Sequence, residues 1–180
     1  SLTYEDLMAR RRDGQRHRYD AERVMLYGLG VGLGLDPLNE QELRFVAERD
    51  LRVLPSFVTV AAWNIDFKLA LGAPWSSVLH ASQSVRWHRP LSPVAEVVAS
   101  RWFTEAYDKP GRGTLLGEMT EVRSLDGELI AELGSTSMLR NFHVQGAPTG
   151  SPAPLPDAPA REPDRTDDIA TSPPVALIYR

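Results

Sequence analysis

Acid–base chemistry needs one group to take a proton and another to give one, both within hydrogen-bond reach of the substrate. The sequence offers four histidines for such work, His17, His80, His88 and His143. Asp13 and His17 have helical spacing. They lie, however, in a run of charges (Arg10, Arg11, Arg12, Arg16 and Arg18, flanked by Asp6, Asp13 and Asp20) that reads as a solvated surface. His80 and His88 fall on one side of an expected strand but far apart along it, and His80 has no sequence-adjacent carboxylate, so it reads as structural. His143 has only a Pro-rich stretch beside it. No catalytic residue is assigned. The absence of cysteine removes thiolate nucleophiles and disulfides. Scattered histidines without a spaced motif assign no metal.

Binding chemistry is better represented. Lys109 and Arg112 stand in a Gly-flanked turn, where charge and exposed backbone N–H groups suit a phosphate; an exposed hairpin tip explains them equally well. Phe57, Val60 and Trp63 form an apolar stretch that suits either a ligand channel or a core. Gly28, Gly30, Gly32 and Gly34 alternate, but Leu33 occupies the third position of a dinucleotide fingerprint and no strand leads in. They read as a helix packed close to another backbone.

These residues need elements to position them. Thr3 caps a short helix expected over residues 1–12, with Glu5 and Asp6 in its first turn. Asp20 caps a stronger one, with Val24, Tyr27, Gly28 and Val31 on one face. Asn39 and Glu42 suit the start of a short third helix, and Pro55 breaks the chain before a short buried helix reaching Trp63. From Trp75 the pattern becomes β. Leu79, Ala81, Gln83, Val85 and Trp87 alternate with polar residues as in a half-buried strand. Further strands are expected over 94–107, 114–123 and from Leu129 to near Phe142, with Asp126-Gly127 as a two-residue hairpin turn. Helices followed by a run of antiparallel strands is the α+β order. After Val144 six prolines (148, 152, 154, 156, 159 and 163) mark a linker. Thr171-Ser172-Pro173-Pro174 then reads as a cap opening a new helix.

The 180 residues carry a formal charge of −4, which argues against nucleic acid as a partner. No apolar run approaches the ~20 residues of a membrane span, and the start lacks the layout of a signal peptide, so a cytoplasmic location is expected.

Several ordered motifs resemble one family. Tyr19-Asp20, then Met25 to Gly32, Asp36-Pro37-Leu38 and Leu43-Arg44-Phe45-Val46 are similar to the opening of type 2 (R-specific) enoyl-CoA hydratases, the MaoC-like double hot-dog proteins. Leu54-Pro55-Ser56, Val78-Leu79-His80, His88-Arg89-Pro90-Leu91 and Tyr107-Asp108-Lys109 continue the likeness in order, and Ala176 to Arg180 resembles the start of that family's second half. Two places depart from it: Asn141-Phe142-His143-Val144 replaces a Gly-rich turn, and Pro110 stiffens the turn after Lys109.

The resemblance implies a hot-dog fold, an antiparallel sheet wrapped around a helix that is shortened here. It implies reversible hydration of a trans-2-enoyl-CoA to a (3R)-hydroxyacyl-CoA, with the catalytic Asp/His pair in the second hot dog. The expected layout is a MaoC-like domain over 1–145, a linker over 146–172 and the start of a catalytic hot dog over 173–180. This half is expected to hold acyl-CoA, with Phe57, Val60, Trp63 and His80 along a tunnel wide enough for branched or steroid side chains, and Lys109 and Arg112 at a CoA phosphate. The CoA thioester is substrate, and no cofactor or metal is expected. The implied partner is a catalytic hot-dog domain or subunit in a dimeric assembly, with a role in fatty-acid β-oxidation. Two alternatives stay open: a stand-alone binding subunit of a heteromeric dehydratase, and a homodimeric thioesterase built around Asp66.

Overall fold

The computed structural model describes residues 2–154, 156–169, 171 and 173–179. Helix α1 (Tyr4–Met8) starts at Thr3, whose hydroxyl accepts from the Asp6 amide at 3.1 Å. It stops well short of residue 12. The arginine-rich segment after it is strand β1 (Arg11–Tyr19), which forms one edge of the sheet. This corrects the reading of Asp13 and His17 as helical neighbours; Asp13 instead pairs with Arg11 at 2.7 Å. The strand escaped notice because its inward positions carry Gln15, His17 and Tyr19 rather than an aliphatic alternation, and backbone pairing holds it to its neighbour.

Helix α2 (Ala21–Gly30) follows, with the Asp20 carboxylate accepting from the Arg23 amide at 2.9 Å. Val24 and Gly28 are buried as expected, whereas Val31, at the helix end, is exposed. A Cβ on Gly28 would stand 2.6 Å from the Phe45 carbonyl oxygen, so the close backbone approach is real. Asn39 caps α3 (Glu40–Leu43) by accepting from the Gln41 and Glu42 amides.

A broken helix comes next. Pro55–Phe57 makes a 3₁₀ turn leading into α4 (Val58–Ala61), the chain opens over 62–65, and α5 (Asp66–Leu69) resumes. Four long strands complete the fold: β2 (Val78–Trp87), β3 (Ala95–Lys109), β4 (Gly113–Ser124) and β5 (Leu129–Arg140). All pairings are antiparallel in the order β1-β3-β4-β5-β2. The α+β class is therefore as expected.

Two details differ. The β4–β5 hairpin closes with the Ser124 amide donating to the Glu128 carbonyl, leaving a three-residue loop over 125–127. A two-residue type I′ turn would need positive φ at both central positions, and only Gly127 (φ 90°) has it. Strand β2 is an outer edge and is mostly exposed rather than half-buried. A bulge between His80 and Ser82 also shifts its alternation by one residue. His80 thus shares a face with Gln83, while His88 turns to Glu132 on the other face, so the two histidines are not on one side.

The broken helix packs on one face of the sheet in two clusters. Phe57, Val58 and Ala61 meet Val97, Ala99 and Val122, and Phe57 sits edge-on between Tyr19 and Tyr27. Phe67 stacks on Phe103 beside Leu116 and Leu139. Where Asn141 to Val144 replaces the expected glycine turn, Asn141 takes φ 56° and Thr114 clamps the segment. The Thr114 hydroxyl donates to the Phe142 carbonyl at 2.9 Å and accepts from the Val144 amide at 3.2 Å.

Backbone contacts to the domain continue past residue 145, since the Asp108 amide donates to the Pro148 carbonyl and Asp108 bridges Thr149. Near the end, α6 (Val175–Tyr179) lies beside α2. Ser172 and Arg180 fall outside the described residues. No helix among the described residues is long and apolar enough to cross a membrane.

Candidate functional site

The gap between the two helical pieces opens a cavity of about 330 Å³ between helix and sheet. Its helix side is apolar, with Val60, Trp63 and Ile65, and Leu133 adds an apolar side chain from the sheet. Its floor is polar, and the cause lies in the strand alternation. On β3 the inward series Val97, Ala99, Phe103 is interrupted by Arg101, and on β4 the inward series Leu116, Val122 is interrupted by Glu118 and Thr120. Arg101 is 2% exposed and Glu118 9%.

Burying charge is costly unless partners compensate. Arg101 finds its compensation in the break itself. Its guanidinium donates to the Ala62 carbonyl at 2.6 Å and to the Asn64 carbonyl at 3.1 Å, oxygens left without intrahelical partners where α4 ends. Lys68, from α5, brings its ammonium 3.6 Å from Glu118 and 3.3 Å from the Ser135 hydroxyl. Arg101 and Lys68 thereby pin the two lips of the gap to the sheet. Burial pushes the Arg101 guanidinium below its ordinary range, Glu118 opposes that shift, and the nearby Arg12 adds to it. Compensation is incomplete, because the Arg101 Nε–H and the Glu118 Oε2 have no hydrogen-bond partner among the described residues.

Of the residues expected at a tunnel, Val60, Trp63 and His80 line this cavity. Phe57 does not; it is wholly buried in the core between Tyr19 and Tyr27. Asp66 is exposed at the start of α5 and is not part of the cavity wall. Lys109 and Arg112 lie at the β3–β4 turn. The Lys109 ammonium is held by the Gly150 carbonyl and the Ser151 hydroxyl, while Arg112 is exposed. Glu118 lies five positions along β4 from Gly113 in this turn, roughly 17 Å of strand.

Arg101, Glu118 and Lys68 were not anticipated. Their signal was present all the same, as charged residues sitting in phase with apolar ones along two strands that are otherwise core.

Acid–base pairs do exist in the molecule, but elsewhere. His88 Nε2 lies 2.8 Å from Glu132, and His143 Nδ1 lies 2.6 Å from Asp108, both partly exposed and neither at the cavity. Among the described residues the cavity holds one histidine, His80, with no carboxylate bonded to it. No group of three or more potential metal ligands occurs among the described residues. The cavity is thus equipped to hold and orient a ligand. A second hollow of about 440 Å³ lies where Val53 and Pro55 meet His88-Arg89-Pro90-Leu91, joined by the Trp87 indole donating to the Pro55 carbonyl at 2.8 Å.

Comparison with known proteins gives this arrangement its context. A family model described as the MFE-2 hydratase 2 N-terminal domain matches residues 17–141. The chain belongs to this family. Two similar proteins come from Mycobacterium tuberculosis. Enoyl-CoA hydratase ChsH3 is 34% identical over 172 residues, covering 87% of this chain and 56% of that protein. 3-Hydroxyacyl-thioester dehydratase Y is 31% identical over 166 residues, covering 87% and 55%. The chain therefore spans a little over half the length of these relatives. Among solved structures, a MaoC-like dehydratase from Phytophthora capsici superposes with a TM-score of 0.75 at 23% identity, covering 99% of this chain and 64% of that one. The hydratase 2 N-terminal domain described here thus shares the hot-dog fold of that structure, with its own helix broken over 62–65.

Proposed function

We propose that this chain is the substrate-holding, non-catalytic half of a (3R)-specific enoyl-CoA hydratase/3-hydroxyacyl-CoA dehydratase. The observation that carries the reading is a cavity at the helix break that can enclose an acyl group, yet among its described residues its one histidine, His80, has no carboxylate partner and its one carboxylate, Glu118, is tied to Lys68, leaving no acid and base free for chemistry. Hydration across an activated double bond requires both, together with donors aimed at the thioester oxygen. A second, catalytic hot-dog domain or subunit supplies them. Val60, Trp63 and His80 contact the acyl chain. Arg112, with whatever donor capacity Lys109 retains beyond Gly150 and Ser151, meets a CoA phosphate. The exposed edge of β2 offers unpaired backbone groups to that partner. A cytoplasmic setting in lipid degradation, and acyl groups bulkier than a straight chain, belong to the same proposal. The thioesterase reading loses support because Asp66 faces solvent away from the cavity.

The test is hydration of crotonyl-CoA and of a bulky enoyl-CoA, followed at the enoyl thioester absorbance. The chain by itself is expected to show no turnover, with activity appearing once a catalytic hot dog is joined to it. Robust turnover by the chain alone would overturn the proposal and direct attention to His80.

A further inference from the structure

The floor of the cavity is the least expected part of a site for a hydrocarbon chain. Arg101, Lys68, Glu118, Thr120, His80 and Gln83 all contribute to it. Arg12, which pairs with Arg101 across β1 and β3, adds another cation beside it, with its guanidinium 5.9 Å from the Phe67 ring. Two cations, Lys68 and Arg101, thus share the cavity floor with one carboxylate, Glu118, and Arg12 adds its charge beside Arg101. Positive charge is in excess on this floor, and among the described residues one donor, the Arg101 Nε–H, and one acceptor, the Glu118 Oε2, are left without a hydrogen-bond partner. A purely aliphatic tail pressed against this floor would displace water from charged groups and return nothing, a penalty that polar-lined sites impose on ligands lacking the matching group.

We infer that the cavity selects acyl groups carrying a hydrogen-bond-accepting oxygen, a carbonyl or carboxylate, at the end remote from the thioester. The apolar wall of Val60, Trp63, Ile65 and Leu133 takes the body of the acyl group, and the cationic floor takes its oxygenated end. Arg101 and Lys68 are then specificity-determining residues, with Glu118 setting how much positive charge the ligand meets. This inference rests on the acyl-CoA reading above and specifies the substrate class for that site.

Calorimetric titration of the chain with three thioesters tests it: decanoyl-CoA, the corresponding methyl ketone, and sebacoyl-CoA, which ends in a carboxylate. Because the CoA portion is common, the ratios of Kd report the far end alone. The oxygenated ligands are expected to bind roughly tenfold or more tightly than decanoyl-CoA, the scale of one charge-assisted hydrogen bond. Tight binding of both assigns recognition to the acceptor oxygen, and tight binding of the carboxylate alone assigns it to charge. Two variants exclude a merely structural role. Lys68→Met should shrink the preference for sebacoyl-CoA and Glu118→Gln should enlarge it, whereas packing defects would not move that ratio in opposite directions. Equal affinity for all three ligands would overturn the inference and leave the proposed function standing. Failure to bind any thioester would remove both.

Discussion

Arg101 joins the fold to the site through single atoms. Its two terminal nitrogens hold the carbonyls of Ala62 and Asn64, and its charge faces Glu118. Replacing it with Met leaves those carbonyls unpaired and removes the positive charge that Glu118 feels in addition to Lys68. We expect Arg101→Met to cost about 3–5 kcal/mol in urea unfolding, the range for breaking a buried ionic network from one side. Tyr19 is the opposite case. Its hydroxyl is buried without a hydrogen-bond partner among the described residues, so Tyr19→Phe should be neutral or stabilising by about 1 kcal/mol at neutral pH. Burial pushes the Tyr19 phenol up from 10.0 to about 12. A raised folded-state value means that the stability the parent draws from a neutral Tyr19 phenol is complete below about pH 10 and is lost as pH climbs through 12. Unfolding midpoints measured from pH 9 to about pH 12 should fall less steeply in Tyr19→Phe than in the parent; parallel curves would refute this. Such residues were only partly legible. Val60, Trp63 and His80 stood out by type and reach the cavity, but Phe57, of the same type, went to the core. An apolar side chain does not declare which side of a helix break it will face.

Elements were easiest to read where turn chemistry and alternation agreed. Strands β3, β4 and β5 begin and end within two residues of expectation because Gly, Pro and Asp punctuate long apolar alternations. Strand β1 was invisible for the converse reason: its side chains carry no apolar period, and backbone pairing with β3 alone makes it a strand. Strand β2 was recognised, but its bulge could not be foreseen, and that one extra residue separates His80 from His88. The helix break was implied by resemblance, while the pins that hold it open needed the sheet register to bring Arg101 and Glu118 near residues 62–68. Helix α2 offers a test of packing against propensity. Gly→Ala inside a helix ordinarily stabilises by about 1 kcal/mol. At Gly28 the new methyl would press on the Phe45 carbonyl at 2.6 Å and on a Val46 methyl at 2.8 Å. Backbone cannot yield cheaply, so the sign should reverse. Gly28→Ala is expected to lower stability by about 1–3 kcal/mol, read as a drop in thermal midpoint.

At the scale of the whole molecule, one end of the sheet and its middle must serve a single ligand if the proposed function holds. The β3–β4 turn and the cavity floor lie roughly 17 Å apart along β4, so a thioester that fills the cavity must reach the turn through its CoA portion. Two basic residues at the turn do not carry equal diagnostic weight. Lys109 also secures Gly150 and Ser151, so its loss would disturb the segment that runs back along Asp108. Arg112 is exposed, and its backbone carbonyl, which accepts from the Asn141 amide, survives truncation of the side chain. Arg112→Ala is therefore the cleaner probe. Paired with a catalytic hot dog, it should raise KM for an enoyl-CoA several-fold, with kcat little changed, because a phosphate contact far from the reacting carbons supplies uniform binding. The corresponding enoyl-pantetheine thioester, which lacks the nucleotide phosphates, should show no such change. Added salt should weaken the parent toward the variant, since an exposed ion pair is screened within a Debye length of roughly 10 Å at 0.1 M. An equal rise in KM for both thioesters would mean that Arg112 shapes the turn rather than reading phosphate, and the CoA would then have to leave the cavity by another side of the sheet.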